Sequence, residues 1–156
     1  MIFEVEKKKV FSSDAGQPFD KRKDTIILLH GSGQSHVVWS LTDQYLSDQG
    51  YNVFALDLPG HGNSEGESLN SIEEIAEWLE KVIIKIGIQN LTILGHSQGC
   101  LIALEYVNRF PKKIKKLIFV AGSYEIPVNK SLIDLAHSGN MESLNLMMKW
   151  GYGYSK

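Results

Sequence analysis

Leu91-Thr92-Ile93-Leu94-Gly95-His96-Ser97-Gln98-Gly99 decides how the chain is read. An apolar run ends in Gly-x-Ser-x-Gly and passes into a segment, Cys100 to Phe110, whose apolar residues recur at helical spacing. This is the layout of a nucleophile elbow, a tight strand-to-helix turn that lifts one serine hydroxyl above a sheet. Gly95 and Gly99 flank the serine where side chains would collide with the adjacent strand and helix. The turn also sets the serine at a helix start, whose free N–H groups and dipole favour an oxyanion beside it. Taken alone, the five residues read more simply as a helix start with a capping serine.

Two further stretches change that reading. Upstream, Thr25-Ile26-Ile27-Leu28-Leu29-His30-Gly31-Ser32-Gly33 is a second apolar strand running into a glycine loop. Between them, Asp57-Leu58-Pro59-Gly60-His61-Gly62-Asn63-Ser64 closes a third strand. In this order and spacing, the three resemble the α/β-hydrolase superfamily, in its esterase-like, serine-nucleophile branch with a short His-Gly loop. The resemblance runs from about Phe3 to about Gly122. It implies a mostly parallel sheet with helices on both faces, over residues 1–122, followed by the start of a helical lid or cap region over 123–156.

The resemblance also implies roles. Ser97 is the catalytic nucleophile, and the backbone N–H groups of Ser32 and Gln98 form the oxyanion hole. His61, flanked by glycines, is structural in the family. The catalytic acid and histidine of the family follow the serine on loops after later strands, and the chain reaches Lys156 without them. The expectation is therefore an N-terminal portion of a longer hydrolase, its C-terminal strands missing and its triad His and Asp/Glu absent. Such a chain is nearly inactive alone, because a serine without its base is a weak nucleophile. His137, three residues after Asp134, is the one tail histidine able in principle to substitute, on a poor support. His30, His36 and His96 each have a structural reading. The alternative function is a non-catalytic hydrolase-fold fragment that binds a small acyl ligand or a partner chain.

Bulk properties narrow the partners. The 156 residues make about one domain, and the formal charge of −2, with both signs interspersed, suggests neither nucleic acid nor a membrane surface. A single cysteine, Cys100, excludes an internal disulfide framework. Met1 to Val10 contains no signal-peptide core, and no apolar run approaches a membrane span. These point to a cytoplasmic protein acting on a small acyl substrate, with no metal or organic cofactor.

The rest of the chain is read for elements. Ile2 to Ser12 suits one or two edge strands, and Ser13 to Lys23 a loop. Val37 to Gln49 is expected as a helix ended by Gly50, with Trp39 facing either the substrate pocket or the core. Asn52 to Leu58 is a strand. Ser71 and Glu74 form a capping box opening a packing helix that Gly87 ends. Cys100 is expected as a small buried residue rather than a reactive thiol. Lys115 to Ala121 is expected as a buried strand. In the family fold another strand lies outside it, so without that strand residues 117–121 form an open edge for self-association or completion by a second chain. Ser131 to Ala136 and Met141 to Trp150 read as short helices, and 151–156 as a frayed end.

Overall fold

Unbroken apolar runs occupy the middle of the sheet, where both faces of a strand are covered. In a computed structural model, which describes residues 1–152, Thr25–Leu29 (β3), Asn52–Leu56 (β4) and Leu91–His96 (β5) are almost wholly buried. The N-terminal segment forms a hairpin of Ile2–Val5 (β1) and Lys8–Ser13 (β2). Ile114–Val120 (β6) completes the strands described. Their order is β1-β2-β4-β3-β5-β6. β1–β2 and β2–β4 pair antiparallel, and every other pair is parallel.

Helices cover the two faces unequally. Ile72–Ile86 (α2) and Gln98–Arg109 (α3) pack with Ile27, Leu29, Phe54, Leu56 and Ile93 in the larger core. On the opposite face Ile26, Leu28, Val53, Ala55 and Leu94 meet Trp39 and Leu46; Leu46 lies on Thr42–Asp48 (α1). Alternate residues of β3 thus serve opposite cores, which is why that strand shows no polar alternation. Between α2 and α3, the buried Tyr106 hydroxyl donates to Glu80 at 2.6 Å.

The ends of α2 follow the sequence. Ser71 Oγ accepts from the Glu74 amide at 3.1 Å, and Gly87 closes the helix at φ 81°. The reciprocal half of the box is displaced by one residue, since Glu74 accepts from the amide of Asn70 rather than of Ser71.

Three expectations need correction. The expected helix over 37–49 is broken into a 3-10 turn, His36–Trp39, and α1. The break falls beside Val37, Val38, Ser40 and Thr42, all weak helix formers. The strand expected over 52–58 ends at Leu56: the Asp57 amide still donates to the Phe11 carbonyl of β2 at 3.0 Å, but its carboxylate joins a polar network and the next amide, Leu58, donates to His30 Nε2. β6 is not buried: Ile118, Phe119 and Val120 are each about 40% exposed (41%, 42% and 41%). Its apolar residues resemble those of β3, but among the described residues β6 has a neighbour on one side only, β5.

The chain divides into two units, Met1–Glu125 and Ile126–Lys156. Within the second, Lys130–His137 (α4) is capped by the Asn129 side chain, and Asn140 Oδ1 accepts from the Glu142 amide at the start of Glu142–Tyr152 (α5). The expected helix start at Ser131 therefore moves one residue earlier. Of the frayed end expected over 151–156, positions 151 and 152 are helical, and the remainder lies outside the described residues. No described helix is long and apolar enough to cross a membrane.

Candidate active site

The site forms at the carboxyl ends of β3, β4 and β5. Ser97 lies between β5 and α3 with φ 52° and ψ −116°, and its side chain makes no capping hydrogen bond. A capping serine adopts an extended backbone and accepts from an amide of the first turn. Ser97 does neither, so the simple capping reading fails. The tight turn is permitted by its glycines. A Cβ on Gly95 would lie 2.4 Å from the backbone of Gly99, and one on Gly99 would lie 2.3 Å from the carbonyl oxygen of Leu29.

The loop after β3 is pressed against this turn. A Cβ on Gly31 would stand 3.1 Å from Ser97 Cβ and 3.1 Å from His96 Nδ1. Ser32 follows directly. Among the described residues neither the Ser32 amide nor the Gln98 amide donates to another group. An amide without an internal partner is a donor available to a ligand. Both residues line a cavity of about 190 Å³ together with Leu58, His61, Leu69 and Ile75.

The histidines of the first unit are held in other work. His30 is fully buried; its Nδ1–H donates to the Gly31 carbonyl at 2.8 Å and its Nε2 accepts from the Leu58 amide at 3.1 Å. Burial pushes its pKa below the ordinary value, which suits a ring whose two nitrogens already serve as one donor and one acceptor. His61 Nδ1 donates to the Pro59 carbonyl at 2.9 Å. His36 donates from both its backbone and its ring to Asp57. His96 Nδ1 donates to Gln34 Oε1 at 3.0 Å. None of these rings is hydrogen-bonded to Ser97.

Asp57 and Gln34 are site residues the sequence reading did not single out. The Asp57 carboxylate is fully buried and accepts from the amides of His36 and Asn63, at 2.6 and 2.8 Å, and from the His36 ring at 2.9 Å. It thereby ties the loop after β3 to the turn after β4. The signal for it was the close glycine, since a Cβ on Gly62 would lie 2.2 Å from Asp57 Oδ2.

Two ambiguous residues are placed in the core. Trp39 is buried among Ile26, Leu28 and Leu94, with its ring edge-on to His96 at 6.3 Å. Cys100 is fully buried, its thiol directed at the Gly95 carbonyl at 3.1 Å, and burial pushes its pKa up. No group of three or more His, Cys, Asp or Glu is arranged to hold a metal among the described residues.

A strand-turn-helix serine at the carboxyl edge of a mostly parallel sheet defines a class of α/β protein. The chain belongs to the alpha/beta-hydrolase family, whose fold matches residues 24–150. It is 35% identical over 98 residues to a pimeloyl-(acyl-carrier protein) methyl ester esterase of Vibrio cholerae, covering 63% of this chain and 36% of that protein. It is 29% identical over 154 residues to a 2-hydroxy-6-oxononadienedioate/2-hydroxy-6-oxononatrienedioate hydrolase of Escherichia coli, covering 90% of this chain and 52% of that protein. A solved carboxylesterase structure from Nitrososphaera gargenis shares the fold with a TM-score of 0.75 at 23% identity, over 88% of this chain and 51% of the other. The chain thus spans about a third to a half of the length of these relatives.

Proposed function

We propose that the chain carries the nucleophile and oxyanion site of a serine hydrolase acting on an ester-like acyl substrate. Ser97 Oγ bonds to the carbonyl carbon, the amides of Ser32 and Gln98 hold the resulting oxyanion, and the alcohol leaves with the proton. Water then hydrolyses the acyl-enzyme. One donor of this kind contributes roughly 2.7–4 kcal/mol to lowering the barrier in measured cases. The relatives named as an esterase and a hydrolase support the reaction class. The observation that carries the reading is Ser97 itself, held at positive φ with its hydroxyl released from capping, against a loop whose next amide has no partner.

In this reading the base of Ser97 is none of the four histidines of the first unit, because none of their rings is hydrogen-bonded to it and the Nδ1 of each is held by another group. Residues 123–156 begin the cap. The chain alone is then nearly inactive, retaining on the order of 10³–10⁴ over water from oxyanion hole and binding. The exposed strand β6 favours a second reading alongside the first, in which residues 117–121 pair with another strand, either of a second copy or of a completing segment.

A fluorophosphonate tests the nucleophile. Slow, stoichiometric phosphonylation is expected at Ser97, located by peptide mass spectrometry and absent in Ser97→Ala. Labelling no faster than at surface serines would leave only the non-catalytic alternative, a fold that binds a small acyl ligand or a partner.

A further inference from the structure

A peptide unit is planar and trans, so its carbonyl and the following N–H point in opposite directions. The direction of the Ser32 N–H is therefore fixed by whatever holds the Gly31 carbonyl. Two donors hold it: His30 Nδ1 at 2.8 Å and the backbone N–H of Gln34 at 3.2 Å. The preceding peptide is held as well, since the Gly31 N–H donates to Gln34 Oε1 at 3.0 Å. That same oxygen accepts from His96 Nδ1 at 3.0 Å, one residue before Ser97. The side chain of Gln34 is thus the polar link between the loop bearing one oxyanion donor and the turn bearing the nucleophile and the other donor.

We propose that Gln34 is a positioning residue for acyl transfer: its amide oxygen ties the His30–Gly31 peptide to His96, and its backbone N–H holds the Gly31 carbonyl, so that together they set the Gly31–Ser32 peptide against Ser97. This rests on the serine-hydrolase reading above. An acceptor-only oxygen forces His96 into the tautomer with its proton on Nδ1, so the link also fixes the ring beside the nucleophile. Displacing an oxyanion donor by a fraction of an ångström weakens charge stabilisation while leaving ground-state contacts in place.

The substitution that isolates the oxygen is Gln34→Met, which keeps length and volume and removes the acceptor. Gln34→Glu keeps an acceptor at the same reach. In the 156-residue chain, Gly31 amide exchange and the ¹⁵N shifts of the His96 ring are followed by NMR, beside the rate of Ser97 phosphonylation. In Gln34→Met the Gly31 amide should lose protection, His96 should lose its fixed tautomer, and phosphonylation should slow by about 10- to 100-fold. Gln34→Glu should restore the protection and the tautomer. A general loss of stability would not be repaired by the acceptor alone. Unchanged protection and an unchanged rate in Gln34→Met would overturn the proposal while leaving Ser97 as nucleophile. Failure of the unsubstituted chain to label at Ser97 would instead remove the hydrolase reading, and the role of Gln34 with it.

Discussion

The backbone N–H of Ser97 donates to the carbonyl of Val120 at 3.0 Å, so the turn that carries the serine is braced by the last residue of β6. That strand is also the most exposed in the sheet's parallel part, with three consecutive apolar residues open to solvent. An unpaired apolar edge is a template for another strand. The chain is expected to self-associate, with its sedimentation coefficient rising with concentration, and Phe119→Lys is expected to suppress this. Phe119 is 42% exposed, so the lysine also gives up part of its apolar contact, and its own cost should stay within about 1–2 kcal/mol. A monomer throughout a dilution series would show that the edge is inert.

His30 supplies a pH prediction. Its folded-state pKa lies below the ordinary value of 6.5, so below that pH the unfolded chain takes up a proton that the folded chain resists. Stability contributed by neutral His30 is therefore complete above 6.5 and declines as pH falls from there toward the folded pKa. The slope from this one group is at most ~1.4 kcal/mol per pH unit. Protonation would also set a ring N–H against the Leu58 amide that Nε2 now accepts. In an NMR titration the His30 ring should remain neutral where an ordinary histidine is half protonated. A midpoint at or above 6.5 would contradict the buried acceptor role.

Asp57 is a stability determinant that touches no proposed reacting atom. Asp57→Ala would leave two backbone amides and the His36 ring without their acceptor in a site closed to water. The expected loss is on the order of 3 kcal/mol or more, measured by urea unfolding. Asp57→Asn should recover only part of it, since one oxygen becomes a donor facing donors. Glu67, exposed on the loop before α2, gives the contrast: Glu67→Ala should change stability by under about 0.5 kcal/mol. Equal effects at the two positions would mean that the Asp57 network contributes nothing net.

The strands and the turn at Ser97 were legible because both are written locally. Ile26 to Leu29 and Leu91 to Leu94 are apolar on both faces, and Gly95 and Gly99 mark where backbones touch. The exposure of β6 was not legible in its own residues. Leu117 to Val120 looks like β3 in composition, and the open edge over 117–121 was expected only from the family resemblance, since no local pattern encodes a strand's neighbour. The break at Ser40–Thr42 was missed because apolar spacing from Val37 to Leu46 persists across a change of helix type. Gln34 could not be singled out at all, since its role comes from Gly31 and His96, residues brought together only by the parallel pairing of β3 with β5.

The serine's backbone gives the last prediction. At φ 52° and ψ −116° Ser97 occupies a region natural to glycine, and a Cβ there costs on the order of 1–3 kcal/mol. Ser97→Ala keeps that Cβ and should melt close to the unsubstituted chain. Ser97→Gly removes it, and the gain is offset in part by the greater freedom of glycine in the unfolded state, about 0.4–1 kcal/mol. A net stabilisation of about 1 kcal/mol should raise the melting temperature by roughly 2–4 °C for a chain of this size. Both variants lose phosphonylation, so stability and reactivity part company at one residue. If the glycine variant melts below the alanine variant, the turn is not strained, and the serine is held outward by something other than its backbone.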